Sequence, residues 1–149
     1  MKILHIVTAF QRNKNDIITP WLVNLLRLQS KDNDVFVLTS GYGNVKSRQI
    51  LGKVKIFRFN YAPKNLMKMT HDLTIQDYMQ KNPMSFLLLP QFFILGIIKC
   101  MQVVQKEKID SIVVHWPFPL FLIAFPSLML FKKKIFSVFY GAELKLFKN

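Results

Sequence analysis

The longest uncharged stretch of the sequence decides first whether the chain folds in water or in a membrane. It runs for 21 residues, from Ser111 to Phe131, and three consecutive lysines follow it. That length and positive flank suit a transmembrane helix, but the stretch opens with a β-branched run and three prolines follow. Because proline disrupts a helix interior, we predict a strand over Ser111–His115 and a helix over Leu120–Phe131. A membrane-spanning fragment, soluble only in detergent, is the alternative.

A second uncharged stretch, Phe86–Ile98, has 13 residues. As a helix it would be about 20 Å long, which is short of the roughly 30 Å hydrocarbon core of a bilayer. We predict that it forms part of a helix over Met84–Lys106, with a kink or break at Pro90 and Gly96. Its first half is apolar nearly all round, which indicates burial, a membrane contact or a missing partner.

The remaining pattern alternates strands and helices. The apolar run Lys2–Val7 is typical of a strand buried on both faces, and a helix is predicted over Ile17–Ser30 with Asp16 as its N-cap. Further strands are predicted over Asp34–Thr39, Val54–Phe59 and Lys134–Tyr140, a loop or short mobile helix over residues 60–82, and a last helix from Ala142. Because parallel strands need long crossovers, the order indicates an α/β fold: a Rossmann-like, mostly parallel sheet of five strands with helices on both faces.

Composition fits one domain, residues 1–149, with 51% apolar side chains. Lys and Arg number 21 against 8 Asp and Glu, and the net charge of +13 favours an anionic partner. The single cysteine, Cys100, excludes an internal disulfide, and no signal peptide is recognisable, so we expect a cytoplasmic protein.

Standard catalytic motifs are absent from the sequence. It contains neither of the glycine-rich phosphate loops GxGxxG and GxxxxGK[ST], and no HExxH or GxSxG motif. We therefore predict no metal and no bound cofactor. In sheets of this kind, ligands bind outside the carboxyl ends of the strands. That rule places the candidate site at Thr8–Asp16, Ser40–Asn44, His115–Pro119 and Tyr140–Glu143.

The residues at these strand ends resemble the amino-terminal domain of family 4 glycosyltransferases, which have the two-domain GT-B fold. The first loop matches the family pattern at Thr8, Phe10, Arg12, Asp16, Pro20 and Trp21. The later strand ends match it at His115, Trp116 and Pro119, and at Tyr140, Gly141, Ala142 and Glu143. Tyr140 stands where the family has a histidine, and Gln11 stands where it has a proline. A phenol titrates near pH 10 and cannot act as an acid or base at neutral pH as histidine does.

The resemblance implies the acceptor-binding half of a nucleotide-sugar-dependent glycosyltransferase of hexosyltransferase type. It would act on a lipid-linked or cell-surface glycan of the polysaccharide or lipopolysaccharide kind. The donor would be held mainly by a second domain, absent from this sequence, so we expect inactivity unless a separate polypeptide supplies that domain. The implied substrate-binding residues are Thr8, Phe10, Arg12, Asp16, His115, Trp116, Gly141 and Glu143, with Tyr140 in the catalytic position.

A basic stretch suggests where the chain could meet a membrane. It comprises Lys46, Arg48, Lys53, Lys55, Arg58, Lys64 and Lys68. With Met67 and Met69, these residues could bind the anionic inner face of the cell membrane, as basic residues near such a surface do; ordinary solvated lysines are the alternative. Nucleic acid is disfavoured because no stacking platform accompanies the charges. A non-catalytic membrane-binding or partner-binding module is the alternative function, and self-association would suit an exposed apolar helix.

Overall fold

A computed structural model describes residues 1–13, 15–71, 78 and 80–141 of the chain. Within them, six strands form one sheet in the order β3-β4-β2-β1-β5-β6. The elements are β1 (Lys2–Ile6), α1 (Pro20–Gln29), β2 (Asp34–Ser40), β3 (Arg48–Leu51), β4 (Val54–Phe59), a 3-10 helix (Pro83–Leu88), α2 (Leu89–Lys106), β5 (Ser111–His115), α3 (Pro117–Phe131) and β6 (Lys134–Val138). All neighbouring strands pair in parallel except β3 and β4. The predicted Rossmann-like α/β fold is confirmed.

Strand β3 is an addition to the five predicted strands. It lies between the predicted strands Asp34–Thr39 and Val54–Phe59, where no strand is predicted, and it pairs with β4 in an antiparallel hairpin with Leu51 opposite Val54. Gly52, at φ 62°, and Lys53 form its two-residue turn. Glycine adopts positive φ without a steric penalty, which suits such tight hairpins. The strand was missed because its four residues are half polar and lie at the edge of the sheet.

The sheet is covered by α1 on one face and by α2 and α3 on the other. Alternate residues of a strand point to opposite faces, so Val35 and Val37 of β2 pack with α1 while Phe36 and Leu38 pack with α2 and α3. Both faces of the central strands are therefore apolar, which explains why their sequences are continuous apolar runs.

Helix α1 begins later than predicted. Its N-cap is Thr19, at φ 47°, and Pro20 is its first residue. The prediction of Asp16 as N-cap is wrong because the helix begins only at Pro20, and the Asp16 carboxylate accepts hydrogen bonds from Arg12 and from Ile18 N instead. Leu22 and Leu26 of the helix are buried, whereas Trp21 remains 44% exposed beside the carboxyl end of the sheet.

Helix α2 has no break at either predicted position. The 3-10 helix ends at Leu88, so Pro90 falls in the first turn of α2, where a missing N–H costs little. The helix then continues through Gly96, where an added Cβ would lie 2.8 Å from Ile123 Cδ1 of α3. Glycine at this position lets the two helices approach closely.

The uncharged stretches take different structures. Ser111–Phe131 divides into β5 and α3, as predicted, with α3 beginning at Pro117. Ser85–Lys106 forms one helical stretch that is long and apolar enough to cross a membrane by length and composition, although Phe92, Cys100 and Val103 on one side are buried against the core. Burial raises the pKa of the Cys100 thiol to about 11.

The methionine-rich segment after β4 forms a loop over residues 60–71, as predicted. Met67 and Met69 are buried in it, so the expectation that they contact a membrane is wrong. Most of residues 72–82 and the helix predicted from Ala142 lie outside the described residues, as does Glu143.

Candidate functional site

A hydrogen-bonded chain of four side chains runs from α1 to the carboxyl ends of β5 and β6. Gln29 Oε1 lies 2.8 Å from His5 Nε2, and His5 Nδ1 lies 2.9 Å from His115 Nε2. His115 Nδ1 lies 2.5 Å from the Tyr140 hydroxyl. With the Gln29 oxygen assigned as an acceptor, His5 donates from Nε2 and accepts from His115, and His115 accepts the Tyr140 proton. The chain therefore fixes both tautomers and the direction of the Tyr140 O–H bond.

Both histidines are neutral at pH 7. Burial and the neighbouring His115 charge lower the pKa of His5 to about 3, and burial lowers the pKa of His115 to about 4. Neutral imidazoles supply one donor and one acceptor each, which is what this chain of hydrogen bonds requires. His5 is therefore a core histidine with both ring nitrogens hydrogen-bonded, to His115 and to Gln29.

Three aromatic side chains gather beside this chain and are called here the aromatic cluster: Trp21, Trp116 and Tyr140. The ring centroids of Trp116 and Tyr140 are 4.6 Å apart, and those of Trp21 and Tyr140 are 4.9 Å apart. Tyr140 is 38% exposed, so part of the cluster faces solvent. Trp116 has φ 51°, an unusual backbone conformation for a bulky residue that is often found at functional sites. The cluster offers an aromatic surface next to a fixed polar group.

Arg12 and Asp16 lie together in the first loop. The Asp16 carboxylate accepts hydrogen bonds from Arg12 Nε at 2.7 Å and from Arg12 N at 2.9 Å. Burial works to raise the pKa of Asp16, but these hydrogen bonds outweigh it and the pKa falls below its usual value. The Arg12 guanidinium also lies 4.6 Å from the centre of the Tyr42 ring, after β2.

The predicted site residues therefore form two groups along one edge of the sheet. His115 ends β5, and Trp116 and Tyr140 follow β5 and β6, all on one side of β1. Arg12 and its partners Asp16 and Tyr42 lie toward β2 and β3, on the other side.

Other predicted substrate-binding residues have structural roles. The Thr8 carbonyl accepts hydrogen bonds from the hydroxyls of Thr39 and Ser40. Phe10 is fully buried in the core under α1. The prediction that Phe10 binds substrate is wrong, because nothing outside the core can reach its ring. Gly141 has φ 87°, so it supplies the turn after Tyr140.

Six of the seven basic residues predicted to meet a membrane are exposed: Lys46, Arg48, Lys53, Lys55, Lys64 and Lys68. Arg58 is the exception. Its side chain is 1% exposed, so the prediction that it contacts a membrane is wrong. It points to the α1 face of β4, where the first loop covers it and Arg58 Nη2 donates to Gln11 O.

Sequence reasoning did not identify Gln29 or Gln49 as part of this edge, whereas Tyr42 lies within the predicted segment Ser40–Asn44. Gln29 is the last residue of α1. It contacts His5, and the register of β1 beside β5 then joins both residues to His115 in one series of hydrogen bonds. Among the described residues, His, Cys, Asp and Glu side chains form no group of three or more that could hold a metal ion.

Comparisons with known proteins show the fold of the chain but not its family. No protein-family model matches the sequence, and no curated protein matches it. Among solved structures, a sucrose-phosphate synthase from Thermosynechococcus elongatus aligns with 99% of this chain at 12% identity and a TM-score of 0.55. The chain spans 35% of the length of that structure. The fold of the chain is thus a glycosyltransferase-like, Rossmann-like α/β fold.

Proposed function

We propose that the chain is the acceptor-binding, amino-terminal domain of a GT-B glycosyltransferase resembling family 4. It would bind a lipid-linked or cell-surface glycan and work with a donor-binding domain that holds the nucleotide sugar. Sucrose-phosphate synthase, whose fold it shares, is a protein of the same broad class. The matches at the ends of the first, fifth and sixth strands support the choice of family.

The aromatic cluster, joined to the His115–Tyr140 hydrogen bond, carries the proposal. Sugar rings present apolar C–H faces, which stack on aromatic side chains, and hydroxyls at their edges, which need polar partners. Trp21 and Trp116 supply the first kind of surface within 6.0 Å of each other. Tyr140, at the centre of the cluster, supplies the second.

Tyr140 is proposed as the side chain beside the reacting sugar. In the transfer, an acceptor hydroxyl forms a bond to the anomeric carbon, the donor diphosphate leaves with the electron pair of the broken bond, and the hydroxyl proton passes to the leaving diphosphate. Tyr140 donates a hydrogen bond to neutral His115 and keeps its proton, so its oxygen can accept a hydrogen bond from the acceptor hydroxyl and orient it, and it removes no proton at pH 7. Positioning of this kind is a large part of what enzymes contribute. The diphosphate and its charge are left to the donor-binding domain.

Intrinsic fluorescence tests this proposal directly, because both tryptophans of the chain belong to the aromatic cluster. Titration with methyl hexosides and short oligosaccharides should change the emission of the wild-type chain. The Tyr140→Ala variant should bind at least about tenfold more weakly, as loss of a stacked and hydrogen-bonded ring predicts. Phe86→Leu, which changes an exposed aromatic on the 3-10 helix, should bind as the wild type does.

Two results would contradict the proposal. The first is an unchanged emission spectrum with every sugar at millimolar concentration. The second is equal affinity of the wild-type and Tyr140→Ala chains. Sugar transfer by the purified chain alone, followed with nucleotide sugars, would overturn the further claim that a donor-binding domain is required.

Exposed apolar side chains on α2 and α3 favour a second candidate, a non-catalytic membrane-binding module at the inner face of the cell membrane. Ile94 and Ile98 on α2 and Leu122 and Met129 on α3 are between 41% and 64% exposed. Sedimentation with phosphatidylglycerol vesicles at low and high salt separates binding through the basic residues from binding through the apolar side chains. Binding through the basic residues should be lost at high salt, binding through these apolar residues should persist, and a soluble acceptor domain should not sediment at either salt concentration.

A further inference from the structure

The hydrogen bonds that join Gln29, His5, His115 and Tyr140 can run in only one of two directions. A neutral imidazole has one nitrogen that donates and one that accepts, and all four ring nitrogens of His5 and His115 take part in these bonds. A ring that accepts from one neighbour must therefore donate to the other. The direction of the first bond, at Gln29, fixes the direction of the last bond, at Tyr140.

Burial prevents one histidine from reversing alone. His5 is 3% exposed and His115 is 2% exposed, and their rings stack with centroids 5.2 Å apart. If only one ring changed its tautomer, the facing nitrogens of the two rings would become two donors or two acceptors. A buried polar group that loses its partner in this way is strongly destabilising. The two rings therefore keep matching tautomers.

Gln29 sets the direction from the end far from the aromatic cluster. It is the last residue of α1, and its Oε1 atom faces His5 Nε2 at 2.8 Å. A carbonyl oxygen only accepts, so His5 donates from Nε2 and accepts at Nδ1. The same reasoning gives His115 a proton on Nε2 and an acceptor at Nδ1, which lies 2.5 Å from the Tyr140 oxygen. The Tyr140 proton is thus directed into the protein, and the Tyr140 oxygen can meet a ligand only as an acceptor.

We propose that Gln29, acting through His5 and His115, is a positioning residue that selects ligands by hydrogen-bond polarity. The Tyr140 oxygen would receive a hydrogen bond from a ligand group that can donate, such as a sugar hydroxyl. A fluorine or a methyl ether at the same place cannot donate, so it would face the oxygen lone pairs without a proton between them. The preference for a sugar hydroxyl rests on the proposed function, whereas the direction of the hydrogen bonds does not.

Nitrogen-15 NMR of the histidine side chains tests the direction without any ligand. Spectra at pH 8.0 distinguish a ring nitrogen that carries a proton from one that does not, and His5 and His115 of the wild-type chain should carry it on Nε2. Gln29→Glu should leave both unchanged at this pH, since a carboxylate accepts as the amide oxygen does. Gln29→Met removes the acceptor, so the form with a proton on Nδ1 should appear in both rings. Asn24→Met, at an exposed position of α1, should change neither.

Two NMR results would overturn the proposal. The first is a proton on Nδ1 of both buried histidines in the wild-type chain or in Gln29→Glu, which would mean that the Gln29 amide donates to His5. The second is an unchanged pair of tautomers in Gln29→Met, which would mean that Gln29 does not set the direction. The wild-type and Gln29→Glu spectra decide the direction even if Gln29→Met does not fold.

Tryptophan fluorescence measures the selectivity, with methyl glucoside and its deoxy and deoxyfluoro analogues compared one hydroxyl at a time. At the hydroxyl that contacts Tyr140, both replacements should weaken binding by about tenfold, because neither can donate the lost hydrogen bond. Gln29→Met should reduce the difference between the hydroxyl and the fluoro compound to less than about threefold, and Asn24→Met should preserve it. A fluoro compound that binds the wild-type chain as tightly as the parent sugar, wherever the deoxy compound binds more weakly, would show that Tyr140 donates and would refute the selectivity.

The two experiments separate this proposal from the proposed function. If no sugar changes the emission, the proposed function fails, and the NMR spectra still decide whether Gln29 sets the direction. If sugars bind but the two buried histidines carry their protons on Nδ1, the proposed function stands and this proposal fails.

Discussion

Acidification should destabilise this fold through its two buried histidines. Both are neutral when folded, with pKa values of about 3 for His5 and about 4 for His115, against 6.5 for a histidine in water. Between these limits the unfolded chain binds more protons than the folded chain, so the free energy of unfolding rises with pH and falls as pH is lowered through 6.5. The contribution of the two buried histidines to the free energy of unfolding is complete above about pH 7 and is lost progressively toward pH 4.

The size of the effect follows from the same pKa values. Each pH unit between the unfolded and folded pKa changes the free energy of unfolding by about 1.4 kcal/mol per histidine. At pH 5, about 1.5 units below the unfolded value, each histidine therefore costs about 2 kcal/mol. Because both histidines are still neutral in the folded chain at pH 5, the two losses add, and the pair should lose about 4 kcal/mol.

Urea unfolding at pH 7.5 and pH 5.0, followed by circular dichroism, measures this difference. His115→Gln should lower stability at pH 7.5 but show a smaller difference between the two pH values, because only one buried histidine remains. Lys31→Gln, which changes an exposed side chain and leaves both buried histidines in place, should keep the wild-type difference. A wild-type difference below about 1 kcal/mol would refute the reasoning, since it would mean that the buried imidazoles take up protons as easily as exposed ones.

Two further substitutions test the packing and the first loop. Gly96→Ala should destabilise the chain by about 1 kcal/mol in urea unfolding, because the overlap of the new Cβ with Ile123 outweighs the better helix propensity of alanine; a more stable variant would contradict the close approach of α2 and α3. Asp16→Asn should cost about 1–2 kcal/mol, because it leaves Arg12 without its carboxylate. An Arg12→Gln/Asp16→Asn double variant less destabilised than the sum of the single variants would confirm the coupling.

The buried strands could be predicted because a strand that is buried on both faces has a nearly continuous apolar sequence. β1, β2, β4 and β5 begin at the predicted residues, and each is a nearly continuous apolar run. The same burial on both faces explains why the burial of Arg58 was not predicted. In a strand covered on both faces the alternation of apolar and polar residues disappears, so an arginine there is easily mistaken for a surface residue.

The location of the candidate site could be predicted from the sequence, but the contacts between its residues could not. The rule that ligands bind at the carboxyl ends of parallel strands identified His115, Trp116 and Tyr140, and the structure brings them together. The contact between His5 and His115 joins residues 110 positions apart and depends on the register of β1 beside β5. No local pattern specifies that register, so the hydrogen-bonded chain could not be read from the sequence.

The burial of Cys100 makes this chain well suited to chemical labelling. Thiol reagents attack the thiolate at a site that solvent can reach, and Cys100 offers neither, since it is fully enclosed and its pKa is near 11. A cysteine introduced on the surface can therefore carry a fluorophore or spin label without first removing the native one. A pair of such labels, one on β3 and one after β6, would report any change in the distance between these two ends of the sheet.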